Sequence, residues 1–395
     1  MIRTADRLQE VHEYYFSTKL REVRKLKEEG HPILNMGIGS PDLPPSETVL
    51  STLRNSLKEP GAHQYQSYQG LPELRETIAA FYQNKFGVLL DPKTEVLPLM
   101  GSKEGIMHIS MAFLNPGDRV LIPDPGYPTY ASVTRLVGAE AVPYRLAEDT
   151  GWFPDLEQLE AGGLEKVKLM WVSYPHMPTG ATATRRQLTD LVAFARRHNI
   201  LLVNDNPYSF VLSRDPISIL GIPEGEGYVL ELNSLSKTFN LAGWRVGMLL
   251  GAAPLLEAVL KVKSNMDSGM FYGIQKGAIA ALKSGSEWFD SLDAAYRVRR
   301  AGMFQIADRL GCTYDRRAVG MFVWARLPEG SPDAVTFVDQ LLYEKHLFVA
   351  PGTIFGAQGE GYIRFSLCVP QEQIREALRR LDPVPSEHNV VKENE

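Results

Sequence analysis

Between residues 46 and 285 short apolar runs alternate with helical patterns, and this alternation restricts the fold more than any other feature of the chain. The runs are "RVLIP", "EAVPYR", "VKLMWVSY", "ILLVND" and "GYVLELN", with helical spacing near 103–113, 127–137 and 184–198. Runs this continuously apolar belong to strands buried on both faces, so a mostly parallel sheet covered by helices on each side is expected. After about residue 286 the character changes. A long charged helix, "SEWFDSLDAAYRVRRAGMFQIADRL", precedes the isolated strands "MFVWARL" and "LFVAPG". The α/β chain thus divides into a large domain over 46–285 and a smaller α+β domain built from 1–45 and 286–395. Residues 7–29 are expected to form an amphipathic helix, with Leu8, Val11, Tyr15 and Leu26 near one face and Gly30 at its end. The last residues, "SEHNVVKENE", read as a frayed polar tail.

Composition removes several function classes. A length of 395 residues, 44% of them hydrophobic and 23% charged, suits a globular protein with a large core. A formal net charge of −5 gives no electrostatic case for nucleic acid or an anionic membrane. Cys312 and Cys368 are too few for a disulfide framework and fit a reducing cytoplasm. No Cys/His cluster has the spacing of metal ligands, so no metal is expected. The opening "MIRTADRLQEVHEYY" lacks an apolar core, and no signal peptide is expected. The most apolar stretch, "MLLGAAPLLEAVL", is short and contains Pro254 and Glu257, which argues against a membrane span.

In an open parallel sheet, ligands bind beyond the carboxyl ends of the strands. Here those ends carry "GSKEG", "PDPGYP", "SYPHMPTG", "NDNPY" and "NSLSK", rich in Gly, Pro, hydroxyl and charged residues. Lys237 stands out among them, having no charged neighbour until Arg245. Taken alone it reads as a loop lysine reaching solvent. Beside an Arg at a strand end, however, a desolvated amine becomes a nucleophile toward carbonyls. Arg245, Ser234 and the helix start after Gly101–Ser102 can hold a phosphate, and Asp205 is a buried carboxylate in need of a cationic partner. A phosphorylated aldehyde with a protonatable ring nitrogen satisfies all three, which describes pyridoxal 5′-phosphate.

The chain also resembles the class I/II aminotransferases of fold type I, the aspartate, LL-diaminopimelate and alanine branch. The resemblance runs from "LNMGIGSPDLPP" to "GYIRFSL", carried most strongly by "SLSKTFNLAGWRVG" and by "YQGLPELRETIA", "PDPGYPTY" and "YPHMPTG" in the family's order. It implies a large domain with a mostly parallel seven-stranded sheet. It implies Lys237 as the Schiff-base lysine and proton shuttle, Asp205 on the ring nitrogen, Tyr208 on the phenolic oxygen and Tyr127 stacked on the ring. Ser102, Lys103 through its backbone N–H, Ser234, Ser236 and Arg245 are implied around the phosphate. Tyr65 matches a tyrosine that reaches the phosphate of the neighbouring subunit in a homodimer. Arg364 matches the clamp for the substrate α-carboxylate, and Gly39 lies in the loop that closes over the substrate. His108 and His176 read as structural.

One position departs from the family. The usual Asn-Pro-Thr-Gly is here Met177-Pro178-Thr179-Gly180, and Met cannot donate to the phenolic oxygen as Asn does. Either Tyr208 carries that contact alone, or His176 or water substitutes. The expected reaction is ping-pong transfer of an amino group from a neutral or moderately polar L-amino acid to 2-oxoglutarate or pyruvate. The stretch "KSNMDSGMFYGIQKGAIAAL" offers no arginine for a dicarboxylate side chain. A carbon–sulfur β-lyase and a ring-forming synthase share the same cofactor residues and stay open. A non-catalytic cofactor-sensing domain is disfavoured, because no basic helix-turn-helix pattern precedes residue 45. A dinucleotide enzyme is disfavoured because no G-x-G-x-x-G follows a strand.

Overall fold

The computed structural model describes residues 2–9 and 15–382, with the side chain of Tyr15 outside that description. Val11 and the polar tail from Ser386 also lie outside the described residues. Seven strands form the main sheet, in the spatial order 96–99, 247–251, 229–234, 201–205, 167–172, 119–124 and 140–145. All run parallel except Gly247–Gly251, which is antiparallel to both its neighbours. The five runs read as strands are present at Arg119–Asp124, Glu140–Arg145, Val167–Val172, Leu201–Asp205 and Val229–Ser234. Two more escaped the pattern. Val96–Leu99 is a short edge strand that tolerates Pro98, and Gly247–Gly251 is bounded by glycines.

Helices cover the sheet where apolar spacing places them. Arg185–Arg197 opens on a reciprocal capping box between Thr184 and Gln187 and buries Leu188, Leu191, Val192, Phe194 and Ala195. On the other face, Ile106 and Ile109 of helix Ser102–Phe113 join Leu169, Trp171 and Leu232 in the core. Truncating such a buried Leu to Ala costs about 2–5 kcal/mol.

Residues beyond 286 build a second unit. Helix Ser286–Arg309 spans 24 residues and packs against helix Gln371–Leu381, where a Cβ on Gly302 would strike Ile374. An antiparallel sheet in the order 350–351, 362–366, 322–326 and 313–314 completes it. The N-terminal segment is stitched into this unit: Leu34–Asn35 pairs in parallel with Leu347–Phe348, and Arg299 grips Asp42 at 2.6 and 2.9 Å. The first helix is shorter than expected. Among the described residues, Asp6–Leu8 is a 3-10 turn rather than α-helix and Tyr15–Glu28 is helical, and Leu8 is exposed rather than on a buried face.

Candidate active site

The carboxyl ends of the central strands converge on a cavity of about 430 Å³. Its lining includes Ser102, Lys103, Tyr127, Met177, Asp205, Tyr208, Ser234, Ser236, Lys237 and Arg245, so ten expected residues from six chain segments meet in one place. Lys237 sits on the single helical turn Leu235–Thr238 that follows strand Val229–Ser234. Its Nζ donates to Gly39 O at 2.6 Å. Burial lowers its pKa, and the nearby Arg364 and Arg245 push the same way. A lysine so placed holds a larger share of neutral, nucleophilic amine than one in solvent.

At one end of the cavity is an anion cradle. Helix Ser102–Phe113 presents its N-terminus after Gly101, at φ 90°, where any Cβ would collide with the Arg245 guanidinium. Arg245 itself is left-handed, at φ 57°, a strained conformation that aims its side chain back across this loop. Ser234 Oγ lies 2.8 Å from Ser236 Oγ and accepts from Ser236 N at 3.1 Å, which fixes both hydroxyls beside the cradle. At the other end, Asp205 closes strand Leu201–Asp205. Its Oδ2 accepts from Tyr130, while Oδ1 is buried without a partner in the protein. Burial, only partly opposed by the Tyr130 hydrogen bond, raises its carboxyl to about 6. An orphaned carboxylate oxygen, an amine and an anion cradle around one cavity fit pyridoxal 5′-phosphate.

Arg364 and Gly39 stand just outside this lining. Arg364 Nη2 donates to Gly37 O at 2.7 Å, Nη1 is 3.5 Å from Met177 Sδ, and its guanidinium lies 3.9 Å from the Phe322 ring centre. Gly39 is packed so closely on Phe322 that a Cβ would overlap the ring. Tyr65 is 91% exposed and does not line this chain's own cavity.

The structure removes one of the alternatives at Met177. His176 Nδ1 is 2.8 Å from Thr179 Oγ1, its ring is buried at neutral charge, pushed down to about 3, and it does not line the cavity. Tyr208 does line it, as the expected contact to the phenolic oxygen requires. Burial holds its own hydroxyl well above the usual phenol range, so it stays a donor. Converting Met177→Asn adds a second donor to an anionic oxygen and so favours the anion. The pH at which the cofactor absorbance band changes is expected to fall, and a spectrophotometric titration against wild type measures it. An unchanged or higher midpoint contradicts this role for residue 177.

Folding also reveals groups that linear spacing could not. Tyr130 contacts Asp205 from 75 residues away, and the Ser173 hydroxyl donates to Asp205 O at 2.9 Å. Glu104, His108 and Asp267 bring ligand atoms within 4.8 Å of one another, although no metal-like spacing joins them in sequence. Lys263 Nζ pairs with Asp267 at 2.7 Å and supplies that cluster with positive charge.

Comparison with known proteins extends the picture. A family model described as aminotransferase class I and II matches residues 31–381. The LL-diaminopimelate aminotransferase of Oleidesulfovibrio alaskensis is 39% identical over 95% of this chain and 98% of its own. That of Aquifex aeolicus is 37% identical, covering 96% and 99%. Among solved structures, substrate-bound BacF from Bacillus subtilis aligns with a TM-score of 0.92 at 36% identity, covering 96% of this chain and 97% of its own. A mutant aspartate aminotransferase from Thermus thermophilus aligns at 0.89 and 26% identity, covering 96% and 99%.

Proposed function

We infer, for a chain that belongs to the class I and II aminotransferases, that the cavity at Lys237 is its catalytic centre and that LL-diaminopimelate is its amino donor. The chain is a pyridoxal-phosphate-dependent aminotransferase of fold type I. The observation that carries the assignment of the site is the convergence of Lys237, Asp205 and Arg245 on one cavity. The donor is taken from the relatives, named LL-diaminopimelate aminotransferase at 37–39% identity over nearly full length. That donor carries two carboxylates and two ammonium groups, which makes it neutral overall, as expected for a site without a further arginine. A coupled assay with 2-oxoglutarate tests it. LL-diaminopimelate is expected to give the highest kcat/KM, and a clear preference for alanine or methionine would move the assignment to a donor with an uncharged side chain. The apolar walls Met177, Phe322 and Phe355 around Arg364 favour that second reading.

Bound pyridoxal phosphate supplies the electron sink for breaking bonds at the substrate Cα. In this reading Ser102, the backbone N–H of Lys103, Ser234, Ser236 and Arg245 hold the phosphate. Asp205 Oδ1 would pair with the ring nitrogen, Tyr208 would donate to the phenolic oxygen, and the Tyr127 ring would cover the cofactor face. Arg364 grips the substrate α-carboxylate in a fork that orients Cα–H. The loop at Gly39 closes behind it and excludes water. Lys237 Nζ is the amine that would attach the cofactor's aldehyde and, when released from it, would serve as the base that holds and moves the substrate Cα proton.

The active unit in this reading is a symmetric homodimer in the cytoplasm. Tyr65 at 91%, Met266 at 65% and Phe271 at 41% exposure are large apolar side chains on the adjoining 63–67 and 266–271 segments and make an exposed rim. These groups belong together: the 266–271 loop packs on Gln66, and Asp267 meets Glu104 and His108 of the phosphate-facing helix. A second copy covers the rim and brings its own Tyr65 to this cavity. Activity per chain is therefore expected to vanish on dilution to monomer, with sedimentation measured alongside. A monomer retaining full activity contradicts the shared site. Both thiols, Cys312 and Cys368, are buried and unpaired, in keeping with a reducing compartment.

A further inference from the structure

Asp205 ends a strand in the middle of the sheet, and its side chain takes one hydrogen bond from the protein among the described residues. The donor is the Tyr130 hydroxyl, 2.9 Å from Oδ2. Tyr130 is 1% exposed. Its ring lies flat on Trp171, with centroids 4.9 Å and planes 4° apart. It also meets Tyr127 edge to face at 5.6 Å and 88°. Two neighbours therefore fix the plane of the phenol, and its hydroxyl is held where the carboxylate must be.

We infer that Tyr130 is a positioning residue: its hydroxyl ties down Asp205 Oδ2 so that Oδ1 faces the cofactor ring nitrogen as a charged acceptor. The inference rests on the assignment of Asp205 given above. A carboxylate with both oxygens free rotates about its own axis and shares its charge with any donor it meets. With one oxygen taken by a buried hydroxyl, the other points in a single direction, and ordering it costs nothing when the cofactor arrives. The hydroxyl also favours the ionised form in a place where burial opposes it. The groups facing Asp205 from the surrounding elements are the Tyr127, Tyr130 and Tyr208 hydroxyls, with Lys237 and Arg245 as the cations of the same cavity. Of the three hydroxyls, Tyr130 is the one within hydrogen-bonding distance.

The test is a cycle of cofactor affinities. The full-length enzyme is freed of cofactor and titrated with pyridoxal 5′-phosphate as wild type, Y130F, D205N and the double variant. Y130F keeps both ring contacts and loses only the donor. It is expected to weaken binding about tenfold in the wild-type background, as for a lost hydrogen bond to a charged group, and to have almost no effect in the D205N background. The acid limb of the binding curve also moves to higher pH in Y130F, because Asp205 then protonates earlier as pH falls. Equal weakening in both backgrounds would show a merely structural residue and overturn the inference. So would unchanged affinity with an unmoved acid limb. Should D205N bind the cofactor as tightly as wild type, the reading of Asp205 itself fails, a result separable from any effect of Y130F. Wild-type protein gives a second readout without substitution: the Asp205 carboxyl carbon resonance must respond to deuteration of the Tyr130 hydroxyl, and silence there contradicts the bond.

Discussion

Lys237→Ala is expected to lower the transamination rate at least ~10⁴-fold, since both the covalent attachment and the proton transfer at Cα are lost with one amine. The cavity contains no group positioned to replace it. Lys103 also lines the cavity, but it is exposed on the phosphate side, whereas Lys237 Nζ reaches the Gly39 carbonyl at the substrate side. The burial that depresses the Lys237 pKa is specific to that place. Two measurements accompany the rate. Borohydride followed by peptide mass spectrometry should fix the cofactor to residue 237 in wild type and leave the variant unlabelled. Small added amines should restore part of the rate, because the rest of the site stands ready for a proton acceptor. A variant that keeps a tenth of wild-type activity would contradict the role of Lys237.

Arg364→Lys is the second large effect, with kcat/KM for amino donors falling roughly 10²–10³-fold while cofactor affinity stays near wild type. The split follows from where Arg364 stands. It lies beyond the cavity lining, against Met177 Sδ, the Gly37 carbonyl and the rings of Phe322 and Phe355. Lysine keeps the charge but loses the planar fork, and an ammonium gains less from lying on the two rings. A carboxylate paired with the fork is oriented by two parallel hydrogen bonds, so the loss reaches Cα–H alignment as well as binding. Steady-state kinetics with a titration of the cofactor checks both halves. A variant that loses cofactor affinity as much as substrate turnover would place Arg364 in the cofactor site instead.

The sheet was legible where its strands are buried on both faces. "VKLMWV" and "LLVND" are apolar almost throughout because helices cover them above and below, and no other element fits such short runs. Val96–Leu99 and Gly247–Gly251 were not, being short and broken by Pro98 or bounded by glycine. The first helix was drawn too long because Leu8 matches the spacing of a face it does not join. In the site, Asp205, Ser234 and Lys237 were readable because each lies at or just after the end of a readable strand. Tyr130 was not, since its role depends on a hydroxyl meeting a carboxylate 75 residues away. The trio of Glu104, His108 and Asp267 was invisible for the same reason. Tyr65 was singled out by its motif; it is 91% exposed and does not line this chain's cavity.

The central claim is that this cavity runs two half-reactions, and the absorbance spectrum of the purified protein tests it most directly. With LL-diaminopimelate alone the cofactor band is expected to bleach stoichiometrically, and 2-oxoglutarate is expected to restore it. A band that persists while the donor is consumed and ammonia accumulates would mean elimination rather than transfer, and would contradict the account.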